Sequence, residues 1–262
     1  MYNPFQLALK FAGYYLRSVN LHGLHSPFAY KLTEDVLYNK APFYCYTPIE
    51  KIRQSLLEDK RHIQVLDLGA GSNFGNTKEK AISQIAKRAA KPAKYGQVIF
   101  RLANYLQPKT VVELGTSLGM TTAYLASANS QSKIISLEGC PETARIAGEN
   151  FKKLGLKNIE LRVGDFKDTL PPLSRELETV DLAFFDGNHR YQPTMDYFNQ
   201  FLPLANEDSL FIFDDVHWSE EMEKAWEEIK KHPKVSMTID LFFIGLVFFR
   251  KGKEKEDLVV RY

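Results

Sequence analysis

The sequence predicts an α/β fold: a mostly parallel sheet of seven strands with an antiparallel strand at its end, helices on both faces, and a helical N-terminal extension. Three observations carry this expectation. From residue 110 onward, short apolar runs alternate with stretches of helical period. That alternation is the mark of strands laid parallel with helices crossing between them. After residue 231 two apolar runs follow each other with a break too short for a crossover helix, so they must pair antiparallel. Residues 1–60 carry a looser helical spacing and no strand pattern.

In order along the chain, Phe5, Leu9, Phe11, Tyr15 and Leu16 form a helical stripe. Ser26-Pro27 reads as a second helix start, because proline at the first helical position gives up an N–H that has no partner there anyway. Thr47-Pro48-Ile49-Glu50 reads as a third, with Glu50 placed to close a capping box. Residues 65–72, Val-Leu-Asp-Leu-Gly-Ala-Gly-Ser, look like a strand entering a glycine turn. A basic stretch at 78–94 (Lys78, Lys80, Lys87, Arg88, Lys91 and Lys94 against Glu79) and an amphipathic one at 97–106 are expected as helices. Strands are expected at 110–114, 133–138, 159–163, 180–185 and 209–213, with helices at 119–128, 141–154, 191–202 and 219–231. Runs 235–240 and 243–250 complete the seven. The expected division is an N-terminal extension or lid over 1–90 and a cofactor-binding domain over 91–262.

Composition narrows the function. The 262 residues are 44% hydrophobic, enough for a full core, and the net charge is only +2. A nucleic-acid partner is not expected, since phosphate binding calls for a concentrated basic surface and the run at 78–94 reads as a solvated helix face. The two cysteines, Cys45 and Cys140, make neither a zinc spacing nor a redox pair. No secretory leader is expected, which leaves the cytoplasm as the predicted location. The longest apolar run, 241–249, falls short of the roughly 20 residues of a membrane helix.

Chemistry concentrates at the strand ends. Val111-Val112-Glu113-Leu114-Gly115-Thr116-Ser117-Leu118-Gly119 is a strand, a glycine turn and a helix start. Glycine admits a ligand close to the backbone, and the helix N-terminus offers unpaired N–H groups to an anion. The middle glycine of the dinucleotide fingerprint is missing, which argues against NAD. The next strand ends on Glu138, where a carboxylate accepts ribose hydroxyls in Rossmann-like sites. At the third strand's end, Gly164-Asp165-Phe166 offers an acceptor for an adenine amino group and a ring to lie against the base. The fourth strand ends on Asp186 and the fifth on Asp214-Asp215. Three carboxylates on one sheet edge repel unless neutralised, and a hard divalent cation, Mg2+ above all, is the natural partner. Without a metal, Asp186 serves the cofactor directly, and Asp214 and Asp215 cap the next helix.

Over about residues 92–250 these motifs resemble the metal-dependent O-methyltransferases of the catechol and caffeoyl-coenzyme A type, class I enzymes that use S-adenosylmethionine. Ala93-Lys94-Tyr95-Gly96-Gln97 is similar to that family's lead-in helix, Glu113-Leu114-Gly115 with Gly119 to its cofactor loop, and Glu138 to its ribose acid. Asp186 matches the first metal ligand, and Asp214-Asp215 an Asp-Asn pair. The resemblance implies that Gly96, Glu113, Gly115, Thr116, Ser117, Gly119, Glu138, Gly164, Asp165, Phe166 and Asp186 bind S-adenosylmethionine. It further implies that Asp186, Asp214 and Asp215 hold Mg2+. His189 stands where the family has its catalytic lysine, three residues past the first ligand, and becomes the expected proton acceptor beside Asp186. Residues 1–90 match none of these enzymes, and Phe28, Tyr44 and Tyr46 are the expected wall for a small-molecule acceptor. The aromatic N-terminal helix makes a homodimer an open expectation. Methyl transfer without a metal, and cofactor binding without catalysis, remain open alternatives.

Overall fold

Helical and strand periods in the sequence fold as written over most of the chain. The computed structural model describes residues 1–66, 77–89, 92–252 and 254–262. The glycine turn of 67–72 lies outside the described residues. In chain order come helices α1 (Pro4–Arg17), α2 (Pro27–Leu32) and α3 (Tyr46–Glu58), strands β1 (His62–Leu66) and β2 (Thr77–Ala81), and helices α4 (Ile82–Ala89) and α5 (Ala93–Leu106). The alternating part follows: β3 (Thr110–Leu114), α6 (Met120–Ala128), β4 (Lys133–Glu138), α7 (Pro141–Lys153), β5 (Ile159–Val163), α8 (Phe166–Glu176), β6 (Leu182–Phe185), α9 (Tyr191–Phe201), β7 (Leu210–Asp214) and α10 (Glu220–Lys231). Strands β8 (Met237–Asp240), β9 (Ile244–Phe248) and β10 (Glu256–Val259) end it. The chain falls into two compact units, residues 40–176 and residues 1–39 with 177–262. Among the described residues no helix is long and apolar enough to cross a membrane.

In the unit of residues 40–176, β3, β4 and β5 lie side by side and parallel, with Leu114 opposite Leu137 and Glu138 opposite Val163. This register aligns the strand ends that carry Gly115, Glu138 and Gly164. Strands β1 and β2 form a separate antiparallel pair. Leu56, Ile63, Ile82, Ile85 and Ala86, from α3, β1 and α4, bury their side chains together with Leu118 and Ile146. Two local expectations change here. The basic stretch at 78–94 begins as β2 and turns helical only at Ile82; its alternating Lys78, Glu79 and Lys80 can face solvent from a strand as well as from a helix. The capping box at Glu50 does not form: α3 starts two residues earlier, behind Cys45, with no side-chain cap. Glu50 instead accepts a hydrogen bond from the Tyr124 hydroxyl at 2.8 Å and pairs with Arg53 at 2.9 Å.

The other unit orders its strands β6-β7-β9-β8-β10. Strand β9 is antiparallel to both β7 and β8, as the short break before it requires. The sheet strands β3 to β10 number eight, not the expected seven. The added strand, β10, runs parallel to β8 at the edge. Its sequence, Glu-Asp-Leu-Val, offers too little apolar alternation to be seen. Helix α1 opens with a capping box between Asn3 and Gln6. Its Tyr14 is buried, and the hydroxyl donates to the carbonyl of Val260 while accepting from the N–H of Tyr262 at 3.2 Å. Val19 pairs with Val260 in a parallel bridge just after α1.

Candidate functional site

In the unit of residues 40–176 the glycine loop is fastened to the next strand before any ligand arrives. The N–H groups of Gly115 and Thr116 both donate to the Leu137 carbonyl, at 2.9 and 3.1 Å. Ser117 and Gly119 then turn through positive φ, 49° and 83°, and α6 begins. Glu138 holds the turn from the opposite side. One of its carboxylate oxygens accepts the Ser117 N–H at 2.7 Å and the other the Cys140 N–H at 2.8 Å. Charge-assisted bonds of this kind are short and orient the carboxylate firmly. Gly119 is required twice over: its backbone is left-handed, and a Cβ there would stand 2.5 Å from the Phe151 ring. Gly119→Ala is therefore expected to lower stability by about 1–3 kcal/mol, read as a shifted urea midpoint. An unchanged midpoint would mean that α7 can move aside.

Under the loop lies a buried polar network. Glu113, with no exposed surface, accepts from the Ser136 hydroxyl at 2.5 Å and from the Thr122 hydroxyl. Thr116 shares a 2.5 Å hydrogen bond with the same Ser136 hydroxyl. The structure thus places Glu113 and Thr116 beneath the loop, where they tie β3, β4 and α6 together, and leaves Gly115, Ser117 and Glu138 part-exposed. Ser136 and Thr122 belong to this support, and sequence reasoning passed over both as ordinary strand and helix residues.

Gly164 donates its N–H to the Glu138 carbonyl at 2.9 Å, which brings the third strand end to the second. Asp165 accepts the N–H of Lys167 at 3.0 Å and so caps the start of α8. Its second oxygen lies 3.5 Å from the Lys167 ammonium. Helix α8 was not expected from the sequence, because Pro171 and Pro172 sit inside it. Gly96 is buried in α5, and a Cβ there would run into the Tyr124 ring. Its glycine is accounted for by helix packing.

The acids belong to the unit of residues 1–39 and 177–262. Strands β6 and β7 pair with Phe185 opposite Phe213. Those two rings stack at 4.4 Å with planes 2° apart, one residue before Asp186 and Asp214. After Asp186 the chain turns through a positive φ of 62° at Asn188, which carries His189 back until its Nε2 lies 3.2 Å from an Asp186 oxygen. Asp214 is buried to 1% exposure. One ligand atom from each of Asp186, His189 and Asp214 lies within 4.8 Å of the other two. Asp215 is not one of the three; its φ is 54°, and its N–H donates to the Phe243 carbonyl at 2.7 Å.

A second polar cluster lies in this unit, and no sequence motif announced it. His217 meets Asp240 through Nε2 at 2.7 Å and Glu223 through Nδ1 at 3.1 Å. Burial works against a charged imidazole, but the two carboxylates outweigh it and hold the His217 pKa above its ordinary value. Glu223 also accepts from the Tyr2 hydroxyl at 2.8 Å and the Lys10 ammonium at 2.7 Å. Burial alone would raise the Glu223 pKa, and these donors bring it below the usual range. The Phe242 ring stacks on the imidazole at 5.2 Å.

Residues 112–216 match the profile of a methyltransferase domain. The chain is 31% identical over 131 residues to a catechol O-methyltransferase of Mycobacterium tuberculosis, covering 49% of this chain and 58% of that one. It is 32% identical over 124 residues to a catechol O-methyltransferase of Niastella koreensis, covering 46% and 55%. It therefore spans little more than half the length of these relatives. The crystal structure of an O-methyltransferase from Bacillus cereus in complex with SAH superposes with a TM-score of 0.55 at 19% identity, over 83% of this chain and 94% of that one. Over residues 112–216 the chain is thus similar to methyltransferase domains, and its α/β fold is the one found in the Bacillus cereus structure.

Proposed function

We propose that the chain is an S-adenosylmethionine-dependent O-methyltransferase acting on a hydroxyl group of a small molecule, with a divalent cation assisting. The observation that carries this reading is the turn of residues 115–119 closed over Glu138, inside the matched methyltransferase domain. Each Glu138 oxygen has more than one acceptor direction. The two backbone amides fix the carboxylate's orientation, and further directions serve the ribose hydroxyls. The first turn of α6 supplies N–H groups and partial positive charge for the cofactor's carboxylate. Asp165, held at the start of α8, and Phe166 serve the adenine.

Two carboxylates and an imidazole within 4.8 Å of one another fit a divalent cation. When bound, such a cation would lower the pKa of an acceptor hydroxyl. In the transfer itself the hydroxyl oxygen bonds to the methyl carbon, the carbon–sulfur bond breaks, the sulfonium becomes a neutral thioether, and the hydroxyl proton passes to solvent water. Proton acceptance by His189, expected from the sequence, needs a free imidazole lone pair, and its Nε2 faces Asp186. A cytoplasmic location and a small-molecule acceptor belong to the same proposal. So does a homodimer through α1, which the exposed Phe5, Leu9 and Leu16 support.

Radiolabelled methyl transfer to a panel of catechols and simple alcohols, with and without chelator, tests the proposal. Product and S-adenosylhomocysteine are expected together. Asp214→Ala is expected to cut the rate by about 100-fold or more while the cofactor still binds. Absence of transfer to every hydroxyl in the panel, with cofactor bound, would sink the reading. Full activity in excess chelator would remove the cation and leave metal-free methyl transfer.

A further inference from the structure

We infer that His189 is a metal ligand, so that the site takes a borderline transition-metal dication, Co2+ or Zn2+, in preference to Mg2+. The inference rests on the proposed cation site and names its chemical class. The three side chains gathered within 4.8 Å are Asp186, His189 and Asp214, and Asp215 is not among them. The donor set is therefore two oxygens and one imidazole nitrogen.

That composition decides the metal. Mg2+ is hard, keeps oxygen ligands and several waters, and gains little from a nitrogen donor. Imidazole suits the later first-row metals, whose affinity for mixed nitrogen and oxygen sites climbs along the series. The spacing agrees. Bond lengths of about 2.0–2.2 Å put neighbouring donors roughly 3.0–3.5 Å apart, and the His189 Nε2 lies 3.2 Å from Asp186. The nitrogen that meets the carboxylate is thus at the separation two ligands of one ion keep. The left-handed turn at Asn188 brings the ring there, so the ligand comes from the same strand end as Asp186 and needs no further element. A coordinated imidazole has spent its lone pair and cannot also accept the substrate proton.

The test uses the full chain, stripped with chelator and free of cofactor, in competition titrations against a chromogenic chelator with Zn2+, Mn2+ and Mg2+. Wild type is expected to bind Zn2+ at least about 100-fold more tightly than Mg2+. His189→Gln is expected to lose about tenfold or more of its Zn2+ affinity and to keep its Mg2+ affinity. His189→Asp, which restores an oxygen ligand, should retain Mn2+ and lose the preference for Zn2+. With Co2+ bound, proton NMR should show a paramagnetically shifted imidazole N–H in wild type that both variants lack. Circular dichroism confirms that the variants are folded. Equal wild-type affinity for Zn2+ and Mg2+, or an unchanged Zn2+ affinity in both folded variants, overturns the inference. No turnover enters these measurements, so their failure leaves the methyltransferase reading standing. A protein that binds Zn2+ through His189 and methylates no hydroxyl would fail that reading alone.

Discussion

Glu138→Ala is expected to weaken S-adenosylmethionine binding by about 30- to 1,000-fold, measured by isothermal titration, with the fold intact by circular dichroism. The magnitude follows from what the carboxylate does. It accepts two backbone N–H groups, from Ser117 and Cys140, at 2.7 and 2.8 Å. Hydrogen bonds to a charged group contribute about 1.5–3 kcal/mol each. Losing them frees the positive-φ turn at Ser117, and any bond to the ribose is lost as well. Glu138→Gln separates the two effects. An amide oxygen accepts one of the two backbone N–H groups while the amide NH2 faces the other donor, so part of the loop order should survive while the charged bond to ribose does not. The glutamine variant is therefore expected to fall between wild type and alanine. If alanine binds the cofactor as wild type does, Glu138 is only a loop fastener and the site lies elsewhere.

The second large effect is on stability. Glu223 gathers Tyr2, Lys10 and His217 at 2.8, 2.7 and 3.1 Å. Glu223→Ala is expected to destabilise the protein by about 2–3 kcal/mol at neutral pH, because three donors lose one acceptor and a part-buried imidazole keeps only Asp240. The pH dependence has a definite sign. The folded pKa of Glu223 is depressed, against the pull of burial, by Lys10, Tyr2 and His217. Its contribution is thus fully present above the ordinary carboxylate range of about 4.5 and is lost as pH falls through the lower folded value. Urea unfolding of wild type and variant should show a gap that is constant from neutral to mildly acidic pH and closes in stronger acid. A gap that persists unchanged in acid would assign the loss to packing and not to charge.

How much of this was legible depended on whether the signal was local. The alternation from β3 to α10, the pairing of β8 with β9, and the spacing from Gly115 to Glu138 all sit in contiguous stretches of sequence, and the structure has them. Edge strand β10 was missed because an edge needs few apolar side chains. Helix α8 was missed because Pro171-Pro172 argues against a helix that packing nevertheless keeps. The meeting of His217 with Asp240 joins a loop to a strand end, with no spacing rule to foretell it. Glu113 and Thr116 show a further limit. A strand-end motif does not say which of its residues turn down into the core, and here both do, onto Ser136.

The division of the chain has a consequence for how it is made. Residues 40–176 are contiguous and gather their own partners, whereas residues 1–39 share a unit with residues 177–262. During synthesis the first helix therefore emerges long before the segment that receives Tyr14 and Val19. Until Phe242, against which Phe11 and Tyr14 pack, has left the ribosome, the aromatic side of this helix has no native counterpart, which makes nascent chains of this protein candidates for chaperone capture.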